Sequence, residues 1–268
     1  MADRSRRRPC ARRRERATVS LVVLELKEIV VRQIVVTGAG SGIGYAIAEH
    51  FAASGDAVTI TGRRPEVLHR AADTLGARAV PFDATDPDAV EAALESLPDH
   101  VDVVVNNAGA NTDFERPEPD GLRALAQQWE ANLASNVLSA VLVTAALTPR
   151  LTDGARVVTI GSIAARQGAG SYGAAKAAVE AWTADLAGQL GPRGITANVI
   201  APGLTEHTGF FQNGLPDHVR QTLVAATRNQ RAGTPADIAA LTGFLASPQA
   251  GHITGQVLHV NGGAYLGR

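Results

Sequence analysis

The chain is short of the residues that would commit it to several classes of function. It has a single cysteine, Cys10, so no internal disulfide can form and no pair of thiolates is available for a metal site. None of its seven histidines falls in an HExxH spacing, which leaves zinc hydrolase chemistry without support. An excess of one charge is also missing. The 25 basic residues stand against 26 acidic ones, so the bulk composition gives no reason to expect a nucleic-acid binder. The apolar stretch that follows the N-terminal segment is cut by Glu25, Lys27 and Glu28, which argues against an export signal or a membrane span. With 45% hydrophobic and 19% charged residues in 268, the chain can bury a sizeable core. Disorder, collagen and disulfide-scaffold classes are disfavoured.

The even balance conceals an asymmetry. Residues 1–16 hold eight arginines against Asp3 and Glu15, a net +6 that leaves −7 for the rest of a chain whose total is −1. Such a block cannot pack, and residues 1–28 are expected to be an Arg-rich disordered tail. A solvated tail is the simplest reading, and a tether to RNA or another acidic surface is the alternative. The expected location is the cytoplasm.

From residue 29 onward, short β-branched runs alternate with longer Ala-rich amphipathic stretches. Strands are predicted at Ile34–Thr37, Ala57–Thr61, Ala77–Phe82, Val101–Asn106, Arg156–Gly161, Thr196–Ala201 and Gln256–Val260. Their nearly unbroken apolar character is the pattern of strands buried on both faces. Helices are predicted at about 42–54, 65–75, 86–96, 121–150, 172–190 and 235–246. This alternation implies right-handed crossovers and a parallel sheet covered on both sides. The expected fold is α/β: one Rossmann-like, doubly wound, parallel seven-stranded sheet in a single domain, residues 29–268. Residues 133–147 and 173–190 are apolar or small nearly all round. A helix without a polar face is buried on more than one side, and a homo-oligomer, dimer or tetramer, is expected.

Two constellations carry chemistry. Thr37-Gly38-Ala39-Gly40-Ser41-Gly42-Ile43-Gly44 follows the first strand and opens the first helix, where glycines let the backbone turn tightly and approach a pyrophosphate seated on the helix N-terminus. The second strand ends in Gly62-Arg63-Arg64 with no acid at its tip. A guanidinium fork matches phosphate oxygens, so a 2′-phosphate, and hence NADP(H), is favoured over NAD(H). The second constellation is Tyr172-Gly173-Ala174-Ala175-Lys176. Positions i and i+4 share a helix face, so the ammonium is expected to lie near the phenol and lower its pKa, tuning an acid or base for neutral pH. Upstream, Ser162 ends a strand, where it can hydrogen-bond a substrate carbonyl.

Taken in order, the glycine loop at 37–44, Asn106-Asn107-Ala108-Gly109, Ser162, Tyr172-x-x-x-Lys176 and Pro202-Gly203 resemble the classical short-chain dehydrogenases/reductases, and the likeness runs from about Ile34 to Gly263. The resemblance implies roles at matching positions. Tyr172 would be the general acid or base, Ser162 would polarise the carbonyl oxygen, and Lys176 would lower the tyrosine pKa and hold the nicotinamide ribose. Asn136, seven residues after Trp129, would support a proton-relay water, with Asn132 a nearby rival. Gly38, Ser41, Gly42 and Ile43 would line the pyrophosphate and nicotinamide side. Asp83, followed by Ala84, would contact the adenine, and Asn107 would begin the turn lining the cofactor.

Departures mark the rim of the site. Ser162 and Tyr172 are ten residues apart, about three fewer than is usual in the family, so the Ile163–Ser171 loop is expected to be trimmed. After Pro202-Gly203, Thr205 is the first choice to meet the nicotinamide carboxamide and Thr208 the second. Residues from about 205 to 233, with Phe210, Phe211, His207 and His218, are expected to form a substrate lid, its phenylalanines either binding an apolar substrate or anchoring the lid. His207, His218 and His259 are expected to be surface or packing residues. The resulting expectation is an NADP(H)-dependent oxidoreductase interconverting a ketone and a secondary alcohol, either 3-oxoacyl-thioester reductase-like or acting on another small carbonyl compound. A non-catalytic dinucleotide-sensing scaffold and a lyase or epimerase on the same fold are the rivals.

Overall fold

The computed structural model describes residues 31–210 and 214–267; the Arg-rich residues 1–28 and Phe211 lie outside the described residues. Seven strands, β1 (Gln33–Thr37), β2 (Ala57–Gly62), β3 (Arg78–Pro81), β4 (Val101–Asn106), β5 (Leu151–Ile160), β6 (Thr196–Pro202) and β7 (Val257–Val260), form one sheet in the order β3-β2-β1-β4-β5-β6-β7. Every pairing is parallel. The helices are α1 (Gly42–Ala53), α2 (Pro65–Leu75), α3 (Pro87–Ala93), α4 (Gly121–Leu133), α5 (Ser139–Leu147), α6 (Ala164–Gln167), α7 (Gly170–Leu190), α8 (Asp217–Ala225) and α9 (Pro235–Leu245).

The period-two geometry of strands explains why these segments read as continuous apolar runs. On β1, Ile34 and Val36 join Ile47, Phe51, Leu68, Ile238 and Leu245 in one core layer under α1, α2 and α9. Val35, between them, points to the opposite layer with Val143, Leu147, Leu186 and Leu190 from α5 and α7. Local signals set the helix ends. Pro65 opens α2 and Gly76, at φ 64°, closes it, while Thr234 and Asp237 form a reciprocal capping box at the start of α9.

The strand order reverses between β1 and β4, and their carboxyl ends diverge into the crevice where open α/β sheets bind ligands. A polar strap bridges that crevice. The Thr37 hydroxyl accepts the backbone N–H groups of Asn107 and Ala108, both at 3.0 Å. The Asn107 amide Nδ2 donates to the carbonyls of Thr37 and Gly38, also at 3.0 Å. Two glycines make this approach feasible. Gly38 sits at φ 64°, and a Cβ there would lie 2.8 Å from Ala108 Cα; one on Gly44 would lie 2.4 Å from Asn107 Nδ2 and 2.6 Å from the Gly38 carbonyl oxygen.

Several boundaries differ from expectation. β5 begins at Leu151, five residues early, because Leu151 pairs with Val101 across a register shift before the regular ladder from Arg156. Two helices within expected loops, α6 and α8, carried no usable signal: α6 is one turn long and α8 buries no side chain fully. The predicted 121–150 helix is a continuous helical run, long and apolar enough to cross a membrane by composition, yet Val143 and Leu147 pack it on the sheet. It is interrupted by a π-helical turn at Ala134–Leu138.

Replacing Gly44 with Ala forces its Cβ into backbone and the Asn107 amide. The expected loss is about 1–3 kcal/mol, the usual cost of overpacking, read as a Tm several degrees lower with a weakened β1–β4 junction. An unchanged Tm would contradict the strap.

Candidate active site

Three elements bring the chemical residues together at the carboxyl end of the sheet. Ser162 follows β5, where Gly161 N–H bonds the Ile200 carbonyl at 2.7 Å and Ile163 N–H bonds the Pro202 carbonyl at 3.0 Å. α7 carries Tyr172 and Lys176 on its buried face. The Ser162 hydroxyl lies close enough to the Tyr172 phenol to work against the rise in its pKa. The Lys176 Nζ donates to the Ile160 carbonyl at 2.9 Å and stands 5.9 Å from the centroid of the Tyr172 ring.

The π-turn supplies the fourth member. Extra width in a helical turn arises where a side chain enters the backbone ladder, and it recurs at functional sites. Here the Asn136 Nδ2 donates to the Ala110 carbonyl at 2.8 Å and to the Asn132 carbonyl at 3.0 Å. Its Oδ1 is buried without a partner. Gly109 lies against both groups: a Cβ on it would meet Asn136 Oδ1 at 2.6 Å and Lys176 Nζ at 3.5 Å. An ammonium has three donors, so an orphaned acceptor and an incompletely used donor converge over one glycine.

The expected lowering of the tyrosine pKa is overturned in this arrangement. Burial pushes the Tyr172 phenol up to about 12, with the Ser162 hydroxyl acting the other way. The same burial brings Lys176 down to about 8. Desolvation disfavours the charged form of each group, and for Tyr172 it outweighs the opposing effect of Ser162. Both groups are therefore held nearer to neutrality than in water.

The glycine loop runs beside these groups. Ser41 is the exposed N-cap of α1, spends no side-chain hydrogen bond on the helix, and is followed by a first turn free of acidic residues, so the positive end of the helix is uncompensated. Gly42 and Ile43 begin the helix, and Ile43 packs on the core. Arg63 and Arg64 are exposed at the tip of β2, next to the loop through the Ala39 N–H bond to the Thr61 carbonyl at 3.2 Å. Asp83 follows β3. Burial works to raise its pKa, but the Thr85 N–H and hydroxyl, at 2.9 and 2.8 Å, together with nearby Arg63 hold it below the usual carboxylate range. Ala84 beside it is buried. These residues fit a phosphorylated dinucleotide: backbone bare of side chains at the loop, a free helix N-terminus, and two guanidinium groups at the strand tip.

The two threonines after Pro202-Gly203 occupy different places. Thr205 is buried, donates to the Gly203 carbonyl at 3.2 Å and pairs with Gly233. Thr208 instead lies against Gly42, 3.4 Å from where a Cβ would be. His207 and His218 are exposed, and His259 packs on Tyr265 with ring centroids 4.9 Å apart. Phe210 reaches the Tyr172 ring at 5.8 Å.

Spacing singled out Asn132 only as a rival to Asn136, and the two have separate places. The Asn132 Nδ2 donates to Asp113 at 2.7 Å and to the Ser171 hydroxyl at 2.9 Å, and its Oδ1 accepts the Thr112 N–H at 3.1 Å. Ser171 in turn donates to Asp113 at 3.1 Å. This clasp ties the 112–115 turn to the start of α7. No periodicity or motif reveals it, because its members are scattered over about sixty residues.

The family assignment follows from fold and site together. Residues 38–265 match the family model described as enoyl-(acyl carrier protein) reductase. The 3-oxoacyl-[acyl-carrier-protein] reductase FabG of Vibrio cholerae is 35% identical over 241 residues, covering 86% of this chain and 96% of that protein. Among solved structures, a short-chain dehydrogenase/reductase (glucose/ribitol dehydrogenase) from Brucella melitensis superposes with a TM-score of 0.79 at 30% identity, covering 88% of this chain and 97% of the other. A blue fluorescent protein from a metagenomic library, solved in complex with NADPH, gives 0.77 at 32% identity, with 88% and 98% covered. The chain belongs to the short-chain dehydrogenase/reductase family. It is an NAD(P)-dependent oxidoreductase acting on CH–OH and C=O groups.

Replacing Asn132 with Ala leaves an Asp113 oxygen and the Thr112 N–H short of partners. The expected cost is about 1–3 kcal/mol for unsatisfied buried groups, with faster amide exchange across residues 111–114. Unchanged exchange there would remove the clasp's role.

Proposed function

We propose that the protein uses NADPH to reduce a ketone to a secondary alcohol, with a 3-oxoacyl thioester or another small carbonyl compound as substrate. The observation that carries this reading is the convergence of Ser162 on Tyr172, with Lys176 one turn along the tyrosine's helix and its Nζ 5.9 Å from the ring centroid. Two O–H groups at one point suit a carbonyl oxygen acquiring negative charge, which favours a C=O over a C=C bond as the group reduced. The name of the Vibrio cholerae relative supports the same preference.

NADPH, when bound, supplies the hydride. Gly38, Ser41, Gly42 and Ile43 would hold its pyrophosphate, Arg63 and Arg64 its 2′-phosphate, Asp83 and Ala84 its adenine end, and Lys176 its nicotinamide ribose. Asn107 holds the loop in shape, and Thr208, ahead of Thr205, serves the nicotinamide side. At neutral pH a phenol whose pKa is pushed up to about 12 carries its proton. Tyr172 is therefore the acid that protonates the carbonyl oxygen while Ser162 donates a second hydrogen bond. Lys176, brought down to about 8, is still mostly charged at pH 7, and with the orphaned Asn136 Oδ1 it returns a proton to Tyr172 after each turnover.

Residues 205–210 and 214–233 belong to the lid over this site. The fold's outer surface supports self-association. Leu122, Leu125, Trp129 and Leu133 recur at helical spacing and are 38–85% exposed, a stripe suited to a second copy of the chain. The protein is a cytoplasmic homo-oligomer, dimer or tetramer, in this reading.

Replacing Tyr172 with Phe removes the acid and is expected to lower kcat about 10²–10⁴-fold with NADPH affinity nearly intact; full activity overturns the mechanism. Replacing Arg63 and Arg64 together with Ala is expected to raise KM for NADPH about 10- to 100-fold, the scale of lost charge-assisted hydrogen bonds, and KM for NADH far less. Equal effects on the two cofactors would remove the phosphate assignment.

A further inference from the structure

Three aromatic rings from three separate segments meet beside the reacting position. Phe114 comes from the 112–115 turn after β4, Phe210 from the segment after β6, and Tyr172 from α7. The Phe210 ring stands 5.6 Å from Phe114 at an interplanar angle of 83° and 5.8 Å from Tyr172 at 52°. These are edge-to-face and tilted geometries in the range that aromatic pairs prefer. We propose that Phe114 and Phe210 form the wall that reads the substituent on the substrate ketone, and that the enzyme prefers ketones carrying an aryl or bulky apolar group over those carrying a methyl. This inference rests on Tyr172 being the proton donor.

The geometry follows from that role. A carbonyl oxygen accepting the tyrosine proton lies about 2.6–3.2 Å from the phenol oxygen, so a substituent on that carbonyl extends beside a ring already packed by Phe210. Phe114 continues the surface on the far side of Phe210 and is 55% exposed. The wall is also fixed in advance. Asp113, immediately before Phe114, accepts hydrogen bonds from Asn132 at 2.7 Å and from Ser171 at 3.1 Å, and Ser171 immediately precedes Tyr172. The clasp therefore sets Phe114 relative to the reacting hydroxyl rather than leaving it on a loop. Because the Asp113 carboxylate is occupied by those donors, it is not spent on the substrate. Anchoring the lid would require the Phe210 contact with Tyr172 but not a second, preset ring beyond it.

The test uses the full-length protein and two esters that differ only at the ketone, ethyl benzoylacetate and ethyl acetoacetate, with NADPH oxidation as readout. Apolar pockets discriminate groups of this size by roughly 10- to 200-fold, so the expected kcat/KM ratio in the unmodified protein favours the benzoyl ester at least about tenfold. Phe210→Ala and Phe114→Ala are each expected to shrink that ratio at least about fivefold, and Phe210→Leu, which keeps apolar bulk, to shrink it less. A ratio near or below one in the unmodified protein overturns the inference. So does a parallel loss on both esters in the alanine variants, the mark of simple lid anchoring, or a gain on the benzoyl ester in Phe210→Ala, the mark of a steric barrier. If acetoacetate is reduced and benzoylacetate is not, only this inference falls. If neither ester consumes NADPH, the carbonyl-reductase reading falls and takes this one with it.

Discussion

The whole arrangement depends on joining β1 to β4 where the strand order reverses. There the chain must bring two strand ends side by side while leaving a crevice between the loops that follow. A hydroxyl and an amide do this work. Thr37 collects two backbone N–H groups from the opposite loop, and Asn107 returns two bonds to the glycine turn. The glycine turn itself carries little side chain, and the first turn of α1 is free of acidic residues. Such an N-terminus attracts anions without a dedicated cation in the turn, since the helix dipole and its N–H groups provide the attraction.

At the reacting end the governing force is desolvation. Tyr172 and Lys176 are both buried, and burial drives their pKa values apart, the phenol up to about 12 and the ammonium down to about 8. The fold thus stores a neutral acid next to a cation that gives up its proton more readily than lysine in water. The sequence spacing predicts the opposite sign for the tyrosine, because proximity in sequence reports the neighbouring charge and says nothing of the water removed from around both groups.

Much of the architecture is legible before any coordinates, for identifiable reasons. Strands covered on both faces lose the regular polar alternation of half-exposed ones, so Val101–Asn106 and Thr196–Ala201 stand out as mainly apolar runs with only isolated polar residues. The Pro65 start and Gly76 stop of α2 are equally plain. In the site, the convergence of Ser162, Tyr172, Lys176 and Asn136 rests on short spacings within elements that are themselves readable. What escapes is structure whose cause lies in tertiary contact. The π-turn exists because Asn136 inserts among backbone groups of its own helix and of Ala110. Thr208 lies against Gly42 because of the course the chain takes after β6. The Asp113–Asn132–Ser171 clasp joins residues that no local pattern links.

The all-parallel sheet also dictates how the molecule can be assembled. No strand meets its neighbour through a tight hairpin. The strap between Thr37 and Asn107 closes across 70 residues, and the bond from Ala197 to Thr254 across 57. Each pairing therefore needs a long loop to close before any hydrogen bond repays the lost entropy, which makes for slow folding. During synthesis the glycine turn emerges well before the strand that completes it, and the strand neighbouring β6 arrives last of all. Until then β6, whose seven residues are all buried in the finished sheet, has an open edge on its outer side, and β7 replaces that edge with a shorter one of four partly buried residues.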